Sequence, residues 1–291
     1  VINRATEVMS EPMQWKPNPG PQWKFLKSSA YEALYGGAAG GGKSDALLMS
    51  ALRYAVYPSY RALLLRRTFP ELQRSLIERS RLWYPGQGGQ YNEQAKVWRF
   101  PGGGVIEFGH VEYDRDVHNY QSAEYQFIGF DELTTFTERI YTYMLTRARS
   151  AHGIPVIIRS ATNPGGEGHD WVRRRWAPWL DTTPEYQGPR ARPGEALSYR
   201  NGEEGEAYDP DGILTRVFIP AKVSDNPHLM NNDPSYVERL AGLDPVTRAQ
   251  LLHGDWLAQP AAGAYFKRGW FETVLGIGKP TARRIRYWDR A

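Results

Sequence analysis

The sequence predicts an α/β fold in which helices flank a mostly parallel β-sheet. Three observations carry that expectation. A short strand candidate, Glu32-Ala-Leu-Tyr35, runs into a glycine-rich turn and out into a strong helix former, Asp45 to Arg53. Apolar runs of strand length recur at Arg61–Arg66, Tyr125–Phe130 and Pro155–Ala161, with helical patterns between them. Two of these runs end in polar residues, Asp131-Glu132 and Thr162-Asn163. Strand ends are where an open α/β sheet places its chemistry.

The bounds set by composition are loose. A length of 291 residues allows one large or two modest domains, and 41% hydrophobic content is ordinary for a globular chain. No stretch approaches the roughly 18 apolar residues of a membrane span, and the N-terminus carries no apolar signal core, so neither membrane insertion nor export is expected. Cysteine is absent, which removes disulfides, thiolate chemistry and cysteine zinc sites. The net charge of +4 is mild, yet only 8 of the 36 cations are Lys. Arg suits phosphate contacts, and a GC-rich genome would give the same bias.

Taken in order, residues 1–30 read as an extended arm with aromatic anchors, because Pro12, Pro17, Pro19 and Pro21 interrupt Trp15, Trp23 and Phe25. A short helical stretch is expected over Trp23–Ser29. Gln22 precedes it; its amide both donates and accepts, so it could read an adenine edge or be a plain surface group. Residues 31–180 then form the expected core. Its first strand meets Gly37, Ala38, Ala39, Gly40, Gly41, Gly42, Lys43 and Ser44, which fit G-x-x-x-x-G-K-S. Glycines let the backbone curl so that several N–H groups face one phosphate chain. Lys43 adds a cation near the β- and γ-phosphates, Ser44 a ligand for Mg²⁺, and the following helix N-terminus its partial positive charge.

Arg61–Arg66 is the next buried strand, followed by a helix over Pro70–Trp83 with Leu72, Leu76 and Ile77 on one face. Asn92–Phe100 and Val105–His110 flank Pro101-Gly-Gly-Gly104, a hairpin signature expected to form a side excursion. Thr134 or Thr135 is expected to cap a helix reaching about Arg149. His169–Leu180 looks helical and rich in Arg and Trp, with Arg173, Arg174 and Arg175 forming either a candidate phosphate-binding patch or a solvated helix face. Residues 181–257 are expected to be a lid or linker; 181–212 in particular is acidic and rich in Pro and Gly. Pro234–Ala241 and Asp244–His253 are short helices with Pro in the first turn. Residues 258–291 are linker-like and end in a strand candidate, Arg284–Trp288, just before Asp289.

The carboxylates sharpen the chemistry. Mg²⁺ wants an acid at a neighbouring strand end, and hydrolysis wants a base for water. Asp131 and Glu132 offer both after Phe127-Ile-Gly-Phe130. Thr162-Asn163 could sense a γ-phosphate or be an ordinary exit into the turn at Pro164. Asp289 alone is no metal site, since metal nucleases need several converging acids.

Together these motifs resemble the large terminase subunit of tailed double-stranded DNA phages, the genome-packaging motor. YGGAAGGGKSDALLM looks like its phosphate loop, FIGFDEL its metal acid and catalytic Glu, and SATNPGG its coupling motif. LLHGDW and the VFIPAKVSDNPHLM stretch are similar to family segments that follow the ATPase core. The resemblance implies a P-loop NTPase of the ASCE type, with Gln22 on adenine and Thr162 and Asn163 in coupling. It also implies ATP and Mg²⁺, double-stranded DNA, a portal protein, a small terminase subunit, a homo-oligomeric ring and action in the host cytoplasm. RYWDRA is similar to the first strand of an RNase-H-like nuclease, with Asp289 as its first Mg²⁺ or Mn²⁺ ligand. The other nuclease acids are not in the sequence, so cutting activity is not expected of these residues. A trans-acting arginine of some relatives has no match near Asn119–Ser122, which leaves Arg66, Arg67, Arg115, Arg147 and Arg149. Other classes remain open: a helicase-like translocase, a nucleotide-gated assembly protein, or, more weakly, a small-molecule kinase.

Overall fold

The computed structural model describes residues 15–203 and 205–259. Asp289, the Arg284–Trp288 strand and the aromatic residues at 265–271 lie outside them. The described residues, Gln259 apart, belong to one unit, Val1–Ala258. Among them no helix is long and apolar enough to cross a membrane.

Among the described residues, ten strands form a single sheet in the order β3-β4-β5-β2-β6-β7-β1-β10-β8-β9. They are β1 (Glu32–Gly37), β2 (Arg61–Arg66), β3 (Gln90–Asn92), β4 (Val97–Arg99), β5 (Val105–His110), β6 (Phe127–Asp131), β7 (Ile157–Thr162), β8 (Ala196–Gly202), β9 (Gly205–Tyr208) and β10 (Leu214–Ala221). The middle six, from β5 to β10, are parallel, and an antiparallel hairpin extends each edge. Both faces are covered, which is why the central strands read as unbroken apolar runs. Along β2, Ala62 and Leu64 enter one core layer while Leu63 and Leu65 enter the other.

The first layer packs under α1 (Pro21–Lys27), α2 (Lys43–Ala51) and the rod of α3 (Phe69–Leu72), a π-helical turn (Gln73–Ile77) and α4 (Glu78–Trp83). The second packs under α5 (Glu138–Leu145), α6 (His169–Arg175) and α7 (Ala177–Leu180). Three short helices follow β10: α8 (Pro227–Asn232), α9 (Tyr236–Ala241) and α10 (Pro245–His253).

Several expectations need correction. The hairpin at 90–110 is no side excursion: β5 pairs in parallel with β2 over six residues and carries the sheet outward. The helix over 138–145 is capped by Thr137, whose hydroxyl accepts from Ile140 N at 3.2 Å. Thr134 is unavailable because its hydroxyl meets Thr162 Oγ1 at 2.8 Å, and Thr135 is committed to Glu132 O at 2.7 Å. The stretch after residue 195 forms β8, paired to the early half of β10 through Leu214–Val217, and β9, paired to β8. That is the end of the sheet opposite the glycine loop, so this stretch is no cover for it. The expected boundary at residue 180 does not divide the sheet, since β10 pairs with β1 along its whole length.

Candidate nucleotide-binding site

The glycine loop leaves the C-terminal end of β1, and α2 begins at Lys43 with Gly42 as its left-handed N-cap. Gly37, Gly40 and Gly42 all have positive φ (131°, 77° and 70°), where a Cβ is strained. The loop's carbonyls are held from outside. Asn226 Nδ2 donates to Gly40 O at 2.8 Å, Tyr35 Oη to Gly41 O at 3.0 Å, and Gln22 Nε2 to Gly42 O at 2.9 Å. A planar trans peptide points its N–H away from its C=O. The amides of Gly41, Gly42 and Lys43 are therefore aimed at the opposite side, as an anion nest requires.

Strand order brings the other polar residues to this loop. β7 lies between β1 and β6, so its end sits between the loop and the two acids. Lys43 Nζ donates to Ala38 O at 2.6 Å and to Asn163 Oδ1 at 2.7 Å. Ser44 Oγ donates to Asp131 Oδ1 at 3.0 Å. Thr162 Oγ1 links β7 to Thr134 in the turn after Glu132. Asp131 is buried and receives Arg66 Nε at 2.8 Å; Glu132 lies 3.9 Å from the same guanidinium. Glu132 has φ 56°, a left-handed conformation rare outside glycine. Thr135 fixes it with two bonds to Glu132 O, from N at 2.9 Å and Oγ1 at 2.7 Å. Such strain costs about 1–3 kcal/mol and concentrates where a side chain must be aimed.

The electrostatics follow from burial. Desolvation pulls the Lys43 ammonium down to about 8, with Glu132 and Asp131 opposing the shift. Burial, then Asp131, raises the Glu132 carboxyl above its ordinary range; Lys43, Arg66 and the Asn163 N–H oppose this. A buried cation beside a ring of amides suits a polyanion. A serine hydroxyl beside a carboxylate, both hard oxygen donors, suits Mg²⁺ that keeps most of its waters.

A cavity of about 410 Å³ opens beside Gly42, lined by Trp15, Asn18, Gln22, Trp83, Asn226 and Asn232 among others. Gln22 forms part of its wall but is no plain surface residue. It is buried, and its Oε1 accepts from Asn18 N at 2.6 Å.

The candidate arginines are scattered. Arg66 is committed to Asp131 within the chain. Arg67 approaches Glu167 at 3.9 Å, Arg147 bonds Gln121 O, and Arg149 meets Glu124 at 3.3 Å. Arg115 is 81% exposed and lies over the Tyr113 ring. The patch expected at 173–175 is largely consumed: Arg173 pairs with Asp181, Arg174 with Glu138 and Arg175 with buried Glu32. Tyr35 and Asn226 escaped the sequence reading. Tyr35 looks like any core aromatic, whereas Asn226 before Pro227 carries the mark of a helix N-cap.

Residues 34–273 match the family profile described as terminase large subunit, T4likevirus-type, N-terminal. No curated protein sequence matches. Among solved structures, the large terminase of a thermophilic bacteriophage in complex with ADP is similar at 15% identity and TM-score 0.59, covering 81% of this chain and 52% of that one. A second crystal form of the same terminase gives TM-score 0.61 at 15% identity, with coverages of 87% and 57%. A variant of the large terminase ATPase domain of Thermus phage P74-26 gives TM-score 0.50 at 16% identity, covering 83% and 94%. The chain thus spans about half the length of the first of these relatives (52%) and nearly all of the isolated ATPase domain (94%).

Proposed function

Because this chain belongs to the T4-like-type terminase large subunit family, we propose that it hydrolyses ATP with Mg²⁺ to drive double-stranded phage DNA into a procapsid. One observation carries the hydrolytic reading. Asn163 bonds both Lys43 of the phosphate-type loop and the strained, raised-pKa Glu132, and the residues next to these two, Ser44 and Asp131, form an oxygen pair suited to a metal.

Catalysis here is positioning and charge neutralisation. The loop amides and Lys43 bind the phosphates and take up charge that grows on the leaving oxygens. Ser44 and Asp131 would hold Mg²⁺, which when bound neutralises phosphate oxygens. Glu132 orients water and draws off its proton; its raised pKa makes it a stronger base than an ordinary carboxylate. Asn163 touches Lys43 through its side chain and Glu132 through its N–H, so loss of the γ-phosphate changes its surroundings directly. Thr162 passes that change to the turn at Thr134. Gln22 retains one amide hydrogen and one lone pair beside the cavity, enough to read an adenine edge.

The wider role extends from family membership. We assign the chain to a homo-oligomeric ring on a portal protein, fed by a small terminase subunit, in the host cytoplasm. Asp289 would be the first carboxylate of a nuclease site using Mg²⁺ or Mn²⁺. Arg115, 81% exposed and no closer than 4.0 Å to its neighbour Asp116, is the strongest of the five arginines to serve a neighbour's nucleotide. The test is phosphate release from ATP by this chain and by Lys43→Ala. Turnover that disappears in the variant is expected; equal turnover would exclude the loop as the phosphate site.

A further inference from the structure

Of the three clamps on the glycine loop, two come from segments beside it, α1 and β1. The third crosses 186 residues of sequence to reach Gly40. Asn226 uses both ends of one carboxamide. Its Oδ1 accepts from Leu229 N at 3.3 Å and caps α8, while its Nδ2 donates to Gly40 O at 2.8 Å. The helices it introduces rest on the loop. A Cβ on Gly40 would come within 2.7 Å of Leu229 Cδ2 and 2.9 Å of Tyr236 Cε1, so a side chain there would push against α8 and α9. Asn226, Leu229 and Asn232 also wall the cavity beside Gly42, together with Gln22 and Trp83.

From this geometry we propose that Asn226 is a positioning residue for nucleotide binding. It turns the Gly40 carbonyl outward, and so aims the Gly41 N–H at phosphate, in the same contact that seats α8 on the loop. Phosphate binding and the seating of α8 then stabilise each other. The segment from α8 to α10 becomes sensitive to what the loop holds. A second contact supports the connection: Ala39 N donates to Leu251 O of α10 at 2.7 Å. The inference rests on the reading of Gly37–Ser44 as a phosphate site.

Capping and clamping can be separated chemically. Asn226→Asp keeps the acceptor that caps α8, and Asp caps as well as Asn. It replaces the donor with a carboxylate facing the Gly40 carbonyl. ADP and ATPγS affinities are measured by calorimetry, with nucleotide-free melting temperature alongside. The expected result is affinity weaker by about tenfold or more, the consequence of losing one part-buried hydrogen bond and gaining a repulsion, with nucleotide-free melting lowered by no more than the few degrees such a bond is worth. Hydrogen exchange of the 229–232 amides should slow on nucleotide addition in the native chain and not in the variant. Should Asn226→Asp melt early, Asn226→Ser provides an uncharged cap that lacks the donor, and it should show the same loss. Native affinity in Asn226→Asp or Asn226→Ser would reduce Asn226 to a helix cap and overturn the proposal. Failure of the native chain to bind either nucleotide would instead refute the phosphate reading, and this inference with it.

Discussion

Glu32 stands at the opposite end of β1 from the glycine loop, roughly 16 Å away along the strand. It is fully buried, and four side chains converge on it. Arg216 Nη2 donates at 2.9 Å, Arg175 Nε at 2.9 Å and Nη2 at 3.0 Å, Tyr141 Oη at 2.6 Å, and Tyr199 Oη completes the set. Glu206 is the second acid on the two guanidiniums, reaching Arg216 at 2.5 Å and Arg175 at 3.2 Å. Glu32→Gln removes the central charge and leaves two buried cations sharing one partly exposed carboxylate. Removing one partner of a buried pair costs about 3–5 kcal/mol. For a unit of this size each kcal/mol moves the melting temperature by roughly 2–4 °C, so a fall of roughly 6–20 °C is expected. Scanning calorimetry or urea titration reads it directly. The KM for ATP should stay within about twofold, because the site lies at the other end of the sheet. A fall below about 1 kcal/mol would refute the claim that this cluster fastens β1 to β8, β9, β10 and α6. An unchanged stability with a large rise in KM would mean that the cluster acts on the nucleotide instead.

The same carboxylate sets an acid limit. Burial would raise the Glu32 pKa, but Arg216 and Arg175 more than offset it and hold it well below the ordinary range. Its stabilisation is therefore complete above about pH 5 and decays as pH falls below about 4.3, the unfolded value. The gap between the native chain and Glu32→Gln should narrow on acidification; a constant gap would contradict the linkage. Arg66→Ala should also destabilise, by roughly 2–4 kcal/mol, since it leaves buried Asp131 and its half-buried neighbour Glu132 uncompensated. Added Mg²⁺ should restore part of that loss in thermal melts. A change within about 0.5 kcal/mol would show that Arg66 does not hold Asp131.

What could be read from the sequence followed the strictness of the chemistry. A phosphate cradle demands glycines, Lys43 and Ser44 at fixed spacing, and a buried strand ending in Asp131-Glu132 announces its place in the core and sets two acids at its end. The parallel sheet was legible because β2, β6 and β7 are apolar on two faces. Partners far apart in sequence were not legible. Nothing near Glu32 marks it as the partner of Arg175 and Arg216, and the acidic stretch 181–212 gave no hint that Tyr199 and Tyr208 face a buried ion cluster. The cap at Thr137 was missed because three threonines crowd the turn. Which one is free depends on Thr162, which tertiary structure places beside Thr134. Arg66 read as a candidate for a neighbour's site, since sequence cannot show that β2 and β6 lie side by side. Asn226 is a cap by local pattern, and only the return of the chain after β10 turns it into a clamp.

The central claim is that Glu132 works on water while Lys43, Ser44 and Asp131 hold the nucleotide and its metal. Glu132→Gln tests it most directly, with nucleotide retention and phosphate release measured on one sample. The account predicts ATP affinity close to native and phosphate release slower by at least about 10²-fold, the scale of a lost general base. Release at the native rate would contradict it.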